Sequence, residues 1–124
     1  MRTRLVKVLA VTLLLAAGVA HGASSHRTQP RLIDQERFVQ LLAAIDDEKF
    51  ADGKLTQLRI TQGLYLFSGA QAVAVLGSFE FWNDRLEGLR LILPADSACV
   101  GAILRYFEAA PDSYRSEARR ILRL

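Results

Sequence analysis

The sequence is poor in the residues that most often build catalytic and metal sites. Its 124 residues include one cysteine, Cys99, and two histidines, His21 and His26. A single cysteine cannot form an internal disulfide, so packing must hold the fold together. His26 lies in a polar N-terminal stretch, which leaves no histidine on a rigid element for a metal site or a Ser-His-Asp or Cys-His arrangement. We therefore expect no catalytic, metal-binding or cofactor-binding residues.

The sequence also lacks an apolar run of the roughly 20 residues that span a bilayer. Three basic residues among the first seven precede an uncharged apolar stretch at 8–17. This order is typical of a cleavable secretion signal. The small residues Ala20 and Gly22 predict cleavage after Gly22, and Gly18 with Ala20 marks an alternative site. We expect 1–22 to be a signal peptide and the product to be exported, either periplasmic or extracellular.

Little net charge remains once this segment is removed. The chain has 16 Lys and Arg against 13 Asp and Glu, a net charge of +3. The excess is accounted for by Arg2, Arg4 and Lys7. A balanced product does not favour nucleic acid or an anionic membrane as partner. Since no cysteine for lipid attachment lies near the cleavage sites, we also expect no stable membrane anchor.

The rest of the chain predicts a flexible lead-in at 23–33 and one all-α domain at 34–124. Apolar residues recur at helical spacing in six stretches. The predicted caps of the first five helices are Asp34, Asp52, Ser68, Asn83 and Asp96, and Pro111 with Asp112 precedes the sixth. Gln71 stands three residues after the cap Ser68, which predicts a capping box. Gly63 is a suitable left-handed stop for the second helix, although the Thr and Ile content of that helix leaves a strand open.

Two stretches of the domain resemble each other at an offset of about 30 residues. A short helix that begins with a basic residue and leucine is followed by a capped helix that ends in phenylalanine, at 54–79 and again at 85–107. Such periods are typical of stacked helical hairpins, because one hairpin cannot bury its apolar stripe alone. The first helix would be a half-unit, and the last would open a third unit with Arg115 or Arg119 in the basic position.

Several motifs of this region occur together in one known family. An F-x-F motif at 79–81, a D-R-L-x-x-L motif at 84–89, and Pro94 followed by Asp96 stand in this order. The set resembles the family catalogued as domain of unknown function 4476, over about 35–124. The resemblance implies a small helical domain and brings no established activity.

The densest acidic cluster does not have the spacing of a calcium loop. It comprises Asp46, Asp47, Glu48 and Asp52. An EF-hand loop requires a glycine at the sixth position, where this sequence has Ala51. We interpret the cluster as a solvated helix end.

Other suggestive residues are expected to have structural roles. Cys99 falls on an apolar helix face, where a small buried thiol is common. Trp82 and Tyr114 are expected to pack against the domain, with an exposed binding role left open. Glu80 and Asp84 stand at a helix junction, whereas paired catalytic carboxylates need a cleft that raises one pKa.

The two ends of the predicted domain carry opposite charge. The acidic cluster lies near the first hairpin, and the last helix carries Arg115, Arg119, Arg120 and Arg123. The last helix has no successor to cover its apolar edge. It either folds onto the core or offers that edge to a partner, such as the acidic end of a second copy.

These observations favour a non-enzymatic helical module that mediates protein–protein interaction in the cell envelope. Its partner would be an unidentified protein or a second copy of the chain. The alternative is a small-ligand binder or enzyme in which arginines clamp an anionic group between helices. The candidates are Arg59, Arg85, Arg90 and Arg105. Their convergence in one pocket would favour this alternative.

Expression of the complete chain in a secreting bacterium tests the predicted signal peptide. We expect the exported product to begin at Ala23, because the apolar stretch directs export and small residues precede the cut. Intact-mass measurement of the exported fraction reads this directly. A product that keeps residues 1–22 and stays in the cytoplasm would contradict the prediction.

Overall fold

The computed structural model describes residues 29–124, and the predicted signal peptide lies outside them. The described chain forms two short strands and six helices: β1 (Arg31–Leu32), α1 (Gln35–Asp46), α2 (Ala51–Thr61), β2 (Tyr65–Leu66), α3 (Gly69–Gly77), α4 (Trp82–Leu91), α5 (Ser97–Phe107) and α6 (Asp112–Ile121). The all-α fold class is confirmed, and the two strands are an addition to it. None of the described helices is long and apolar enough to cross a bilayer.

A short ladder of extended chain joins the helical hairpins. β1 pairs with β2 in parallel, with Arg31 opposite Tyr65. A further parallel bridge joins Phe67 to Pro94, just before α5. Each extended segment leads into one of the helices α1, α3 and α5, and a second helix follows each of these. The described chain therefore repeats one arrangement three times, in units 1, 2 and 3 at residues 31–61, 65–91 and 94–121.

The repeat begins at a different point from the one predicted. The sequence pattern makes α1 a half-unit, whereas in the structure α1 and α2 form a complete first unit behind β1. The predicted lead-in, 23–33, also extends too far along the chain. The backbone N–H of Ile33 donates to the carbonyl of Leu66 at 3.0 Å, and the Ile33 side chain is only 2% exposed. Strand pairing and this buried side chain start the fold at Arg31 rather than near Asp34.

The first helix of each unit starts at the predicted cap. The side chains of Asp34, Ser68 and Asp96 each accept a hydrogen bond from the backbone N–H three residues later. Gln71 completes the predicted capping box, because its side-chain oxygen accepts from the Ser68 N–H at 2.9 Å. These bonds satisfy backbone donors that have no partner within the helix.

The second helix of each unit has no side-chain cap. Their cap positions are held by Phe50, Phe81 and Pro111. The predicted caps Asp52 and Asn83 are therefore wrong, since both lie inside the first turn. The carboxylate of Asp52 there is favoured by the helix dipole without capping the helix, so an acidic residue in the first turn can be mistaken for a cap.

The core is built from equivalent positions of the three units. The seventh residue after each polar cap is buried, as Leu41, Val75 and Ile103. The eleventh is buried as well, as Ile45, Phe79 and Phe107. These buried residues lie on, or just after, the first helix of each unit, and α1 packs against α3 and α3 against α5. The units thus bury their apolar stripes against one another.

The last helix folds onto this core. Ala118 is fully buried, and α6 packs against α4 and α5. Arg90 on α4 pairs with Glu117 on α6 at 3.2 Å. Arg119 and Arg120 on α6, and Arg123 just after it, are exposed, so a polar surface ends the stack. Of the two arrangements open for α6 from the sequence, the structure has the folded one.

Removal of the capping-box hydroxyl tests the helix assignment. Ser68→Ala should lower the free energy of unfolding by about 1 kcal/mol, because the Gln71 N–H loses its acceptor. Ser116→Ala, on the exposed face of α6, should change it by less than about 0.5 kcal/mol. Urea denaturation followed by circular dichroism measures both. Equal effects of the two substitutions would contradict the capping box.

Candidate functional site

Each unit reverses direction between its two helices, and a cation stabilises each reversal. The fourth residue of the second helix is basic in all three units: Lys54, Arg85 and Arg115. Each donates to a backbone carbonyl at or just beyond the end of the preceding helix: Lys54 to Ile45 at 3.1 Å, Arg85 to Phe79 at 2.9 Å and Arg115 to Ala110 at 3.0 Å. Carbonyls at a helix end lack helical partners and attract cations. The third basic position of the repeat is therefore Arg115 and not Arg119.

These reversals leave two large aromatic side chains in solvent. Phe50 is 77% exposed and Phe81 is 62% exposed. They occupy the same position in units 1 and 2, immediately before the second helix, where unit 3 has the exposed Pro111. Full burial of such a side chain contributes roughly 1.5–3 kcal/mol. Because both side chains remain largely exposed in the folded chain, most of this burial free energy is not gained at either position.

A groove of about 460 Å³ separates these two phenylalanines. We call it the Phe50–Phe81 groove. Its lining residues are Lys49, Phe50, Ala51, Lys54, Ser78, Phe79, Glu80, Phe81 and Asp84. Unit 1 supplies the first four and unit 2 the remainder. The groove therefore exists only where the two units stack.

The two walls of the groove carry opposite charge. The wall from unit 1 has Lys49 and Lys54 beside Phe50, and the wall from unit 2 has Glu80 and Asp84 beside Phe81. Within residues 29–124, none of these four charged side chains belongs to an ion pair. Among the residues that line the groove, Phe50 thus stands beside two lysines and Phe81 beside two carboxylates.

Sequence reasoning missed this groove. The sequence pattern explains Glu80 and Asp84 by capping and surface charge at a helix junction, and it gives Phe50 and Phe81 no role in binding. Apolar residues in a periodic pattern are normally expected inside the fold. Phe50 and Phe81 differ from such residues in that each stands immediately before the second helix of its unit, a position that repeats in units 1 and 2.

Trp82 packs within the domain, as the sequence favoured. Its ring centroid lies 5.7 Å from that of Tyr106 and 5.4 Å from that of Phe107. The guanidinium of Arg85 lies 4.4 Å from the Trp82 ring centroid, in a cation–π contact. Tyr114 is also partly buried against the core. These aromatic residues therefore join units 2 and 3.

The acidic cluster lies at the reversal between α1 and α2. Asp46, Asp47 and Asp52 are exposed, and Glu48 is partly buried. In the described part of the chain, no group of three or more His, Cys, Asp or Glu side chains is arranged to hold a metal ion. His26 lies outside the described residues.

The four candidate arginines do not share a pocket. Arg85 packs on Trp82, and Arg90 pairs with Glu87 and Glu117. Arg105 lines one shallow cleft, and none of the other three arginines lines that cleft. This dispersal counts against the arginine-lined ligand site.

The fold and the groove define a small all-α domain of three stacked units. The chain belongs to the family Domain of unknown function (DUF4476), whose family model matches residues 32–96. The match covers units 1 and 2 and ends at the cap of α5, so it includes both walls of the Phe50–Phe81 groove. No curated protein and no solved structure matches the chain.

Cys99 lies fully buried on α5, and this burial raises the pKa of its thiol above the ordinary value of 9.0. The unfolded chain then loses the thiol proton at a lower pH than the folded chain does. The stabilisation from the protonated thiol is complete below pH 9 and declines as pH rises through the folded pKa.

Two measurements test this environment of Cys99. A thiol reagent should leave the native protein unmodified and react once urea unfolds it. Between about pH 8 and pH 10 the free energy of unfolding should fall more steeply for the wild type than for Cys99→Ala, because only the wild type loses this protonation-linked stability. Rapid labelling of the native thiol, or identical pH slopes, would refute the buried environment.

Proposed function

We propose that this protein is an exported, non-enzymatic interaction module of the cell envelope that binds a partner protein through the Phe50–Phe81 groove. The observation that carries the proposal is the pair of exposed phenylalanines at equivalent positions of units 1 and 2. The predicted signal peptide at 1–22 supports the location.

Two residues of the groove, Phe50 and Phe81, are suited to supply most of the free energy of binding. Aromatic side chains dominate binding when a partner covers them and excludes water around them. Phe50 and Phe81 are large enough to act in this way. The flanking lysines and carboxylates would orient the partner and select it by charge, which is the usual role of charges around an interface.

The competing function, a small-ligand binder or enzyme, has weaker support. It needs arginines that converge on one concave site, whereas Arg85 packs on Trp82, Arg90 pairs with Glu87 and Glu117, and Arg105 lines a shallow cleft without the other candidates. The groove itself is lined by cations on one wall and carboxylates on the other, so it has no excess charge with which to hold a small anion.

Site-specific photo-crosslinking in cells that export the protein tests the proposal. A photoreactive phenylalanine analogue at Phe81 should form a protein crosslink, because a partner in the groove covers this side chain. The same analogue at Ile60 is the matched control, since Ile60 is 63% exposed but lines a different cleft. Mass spectrometry of the crosslinked band identifies the partner. Equal labelling at Phe81 and Ile60, or none at Phe81, would refute the proposed function.

A further inference from the structure

We infer that the occupant of the Phe50–Phe81 groove is a second copy of this chain, related to the first by a two-fold axis. The inference rests on the proposed function, because it names the partner for the same groove. It follows from the distribution of charge and aromatic side chains across the two walls.

The groove is complementary to itself. In a two-fold interface each contact between two different residues occurs twice. If a first residue of one copy touches a second residue of the other, the second residue of the first copy also touches the first residue of the other. The basic wall with Lys49 would then meet the acidic wall with Glu80 twice, once in each direction. Since the side chains of both residues are exposed and form no ion pair within the described chain, both are available for this pairing.

The same axis places the phenylalanines against each other. Phe50 lies on the basic wall and Phe81 on the acidic wall. When the basic wall of one copy faces the acidic wall of the other, each Phe50 meets a Phe81. Two aromatic pairs then cover the four exposed rings, which removes apolar surface that the monomer leaves in water. An association of this kind closes at two copies and does not extend into a filament.

Charge reversal at the two exposed positions tests the pairing most sharply. Lys49→Glu places a carboxylate on the basic wall, where it would face Glu80 of the other copy, and Glu80→Lys places an ammonium on the acidic wall, where it would face Lys49 of the other copy. Each variant alone should form a dimer whose dissociation constant is roughly tenfold or more above that of the wild type, because like charges then face each other at both contacts. An equimolar mixture of the two variants should recover the dimer, since a carboxylate then faces an ammonium at both of these contacts.

Sedimentation analysis measures these states over roughly 1 µM to 1 mM protein, a range that covers weak and moderate dimers. The complete chain is expressed, and the form that the host yields is used for every variant. Phe81→Ala should weaken the dimer roughly tenfold or more, and added salt should weaken it further. Ile60→Ala is the control for loss of an exposed apolar side chain. Arg119→Glu is the control for Lys49→Glu, because it makes the same change in net charge on the outer face of α6.

The outcomes separate this inference from the proposed function. A wild type that stays monomeric at every concentration overturns the inference. A dimer that survives Phe81→Ala, or single variants whose mixture stays monomeric, also overturns it. In each of these cases a crosslink from Phe81 to a different protein would leave the proposed function standing. Absence of any crosslink at Phe81 would remove both.

Discussion

The structure depends on the hydrogen bond that a basic side chain donates to a backbone carbonyl at or just beyond the end of the first helix of each unit. A cation at the fourth position of the second helix holds a carbonyl at this end, through Lys54, Arg85 and Arg115. This contact favours an immediate reversal of the chain, because it supplies a donor to a carbonyl that the helix leaves without one. The reversal turns the second helix back along the first, and it leaves the preceding residue at the surface.

Stacking then accounts for the core and the groove together. The seventh and eleventh positions after each polar cap are buried, and the first helices of neighbouring units pack against one another, since one unit alone is too small to bury its apolar stripe. The exposed residue at each reversal is Phe50 in unit 1 and Phe81 in unit 2. The groove between them is therefore a product of the stacking, and it would be lost if the two units separated.

Local features of the sequence predicted most of the fold. The caps Asp34, Ser68 and Asp96 were predicted correctly because a capping bond spans only three residues. The strands were missed because two residues cannot show alternation, and their pairing joins segments far apart in the chain. The groove was missed for a similar reason. Whether Phe81 is buried depends on how neighbouring units stack, and hydrophobic periodicity does not contain that information.

The central claim is that three equivalent units share one core, and residue-resolved hydrogen exchange tests it most directly. The backbone amides of Leu41, Val75 and Ile103 occupy the same position in units 1, 2 and 3. A shared core predicts that all three exchange with the same free energy of opening, equal to the free energy of global unfolding. A much lower opening free energy at Leu41 than at Val75 and Ile103 would show that unit 1 opens alone. That result would contradict the shared core and the groove that depends on it.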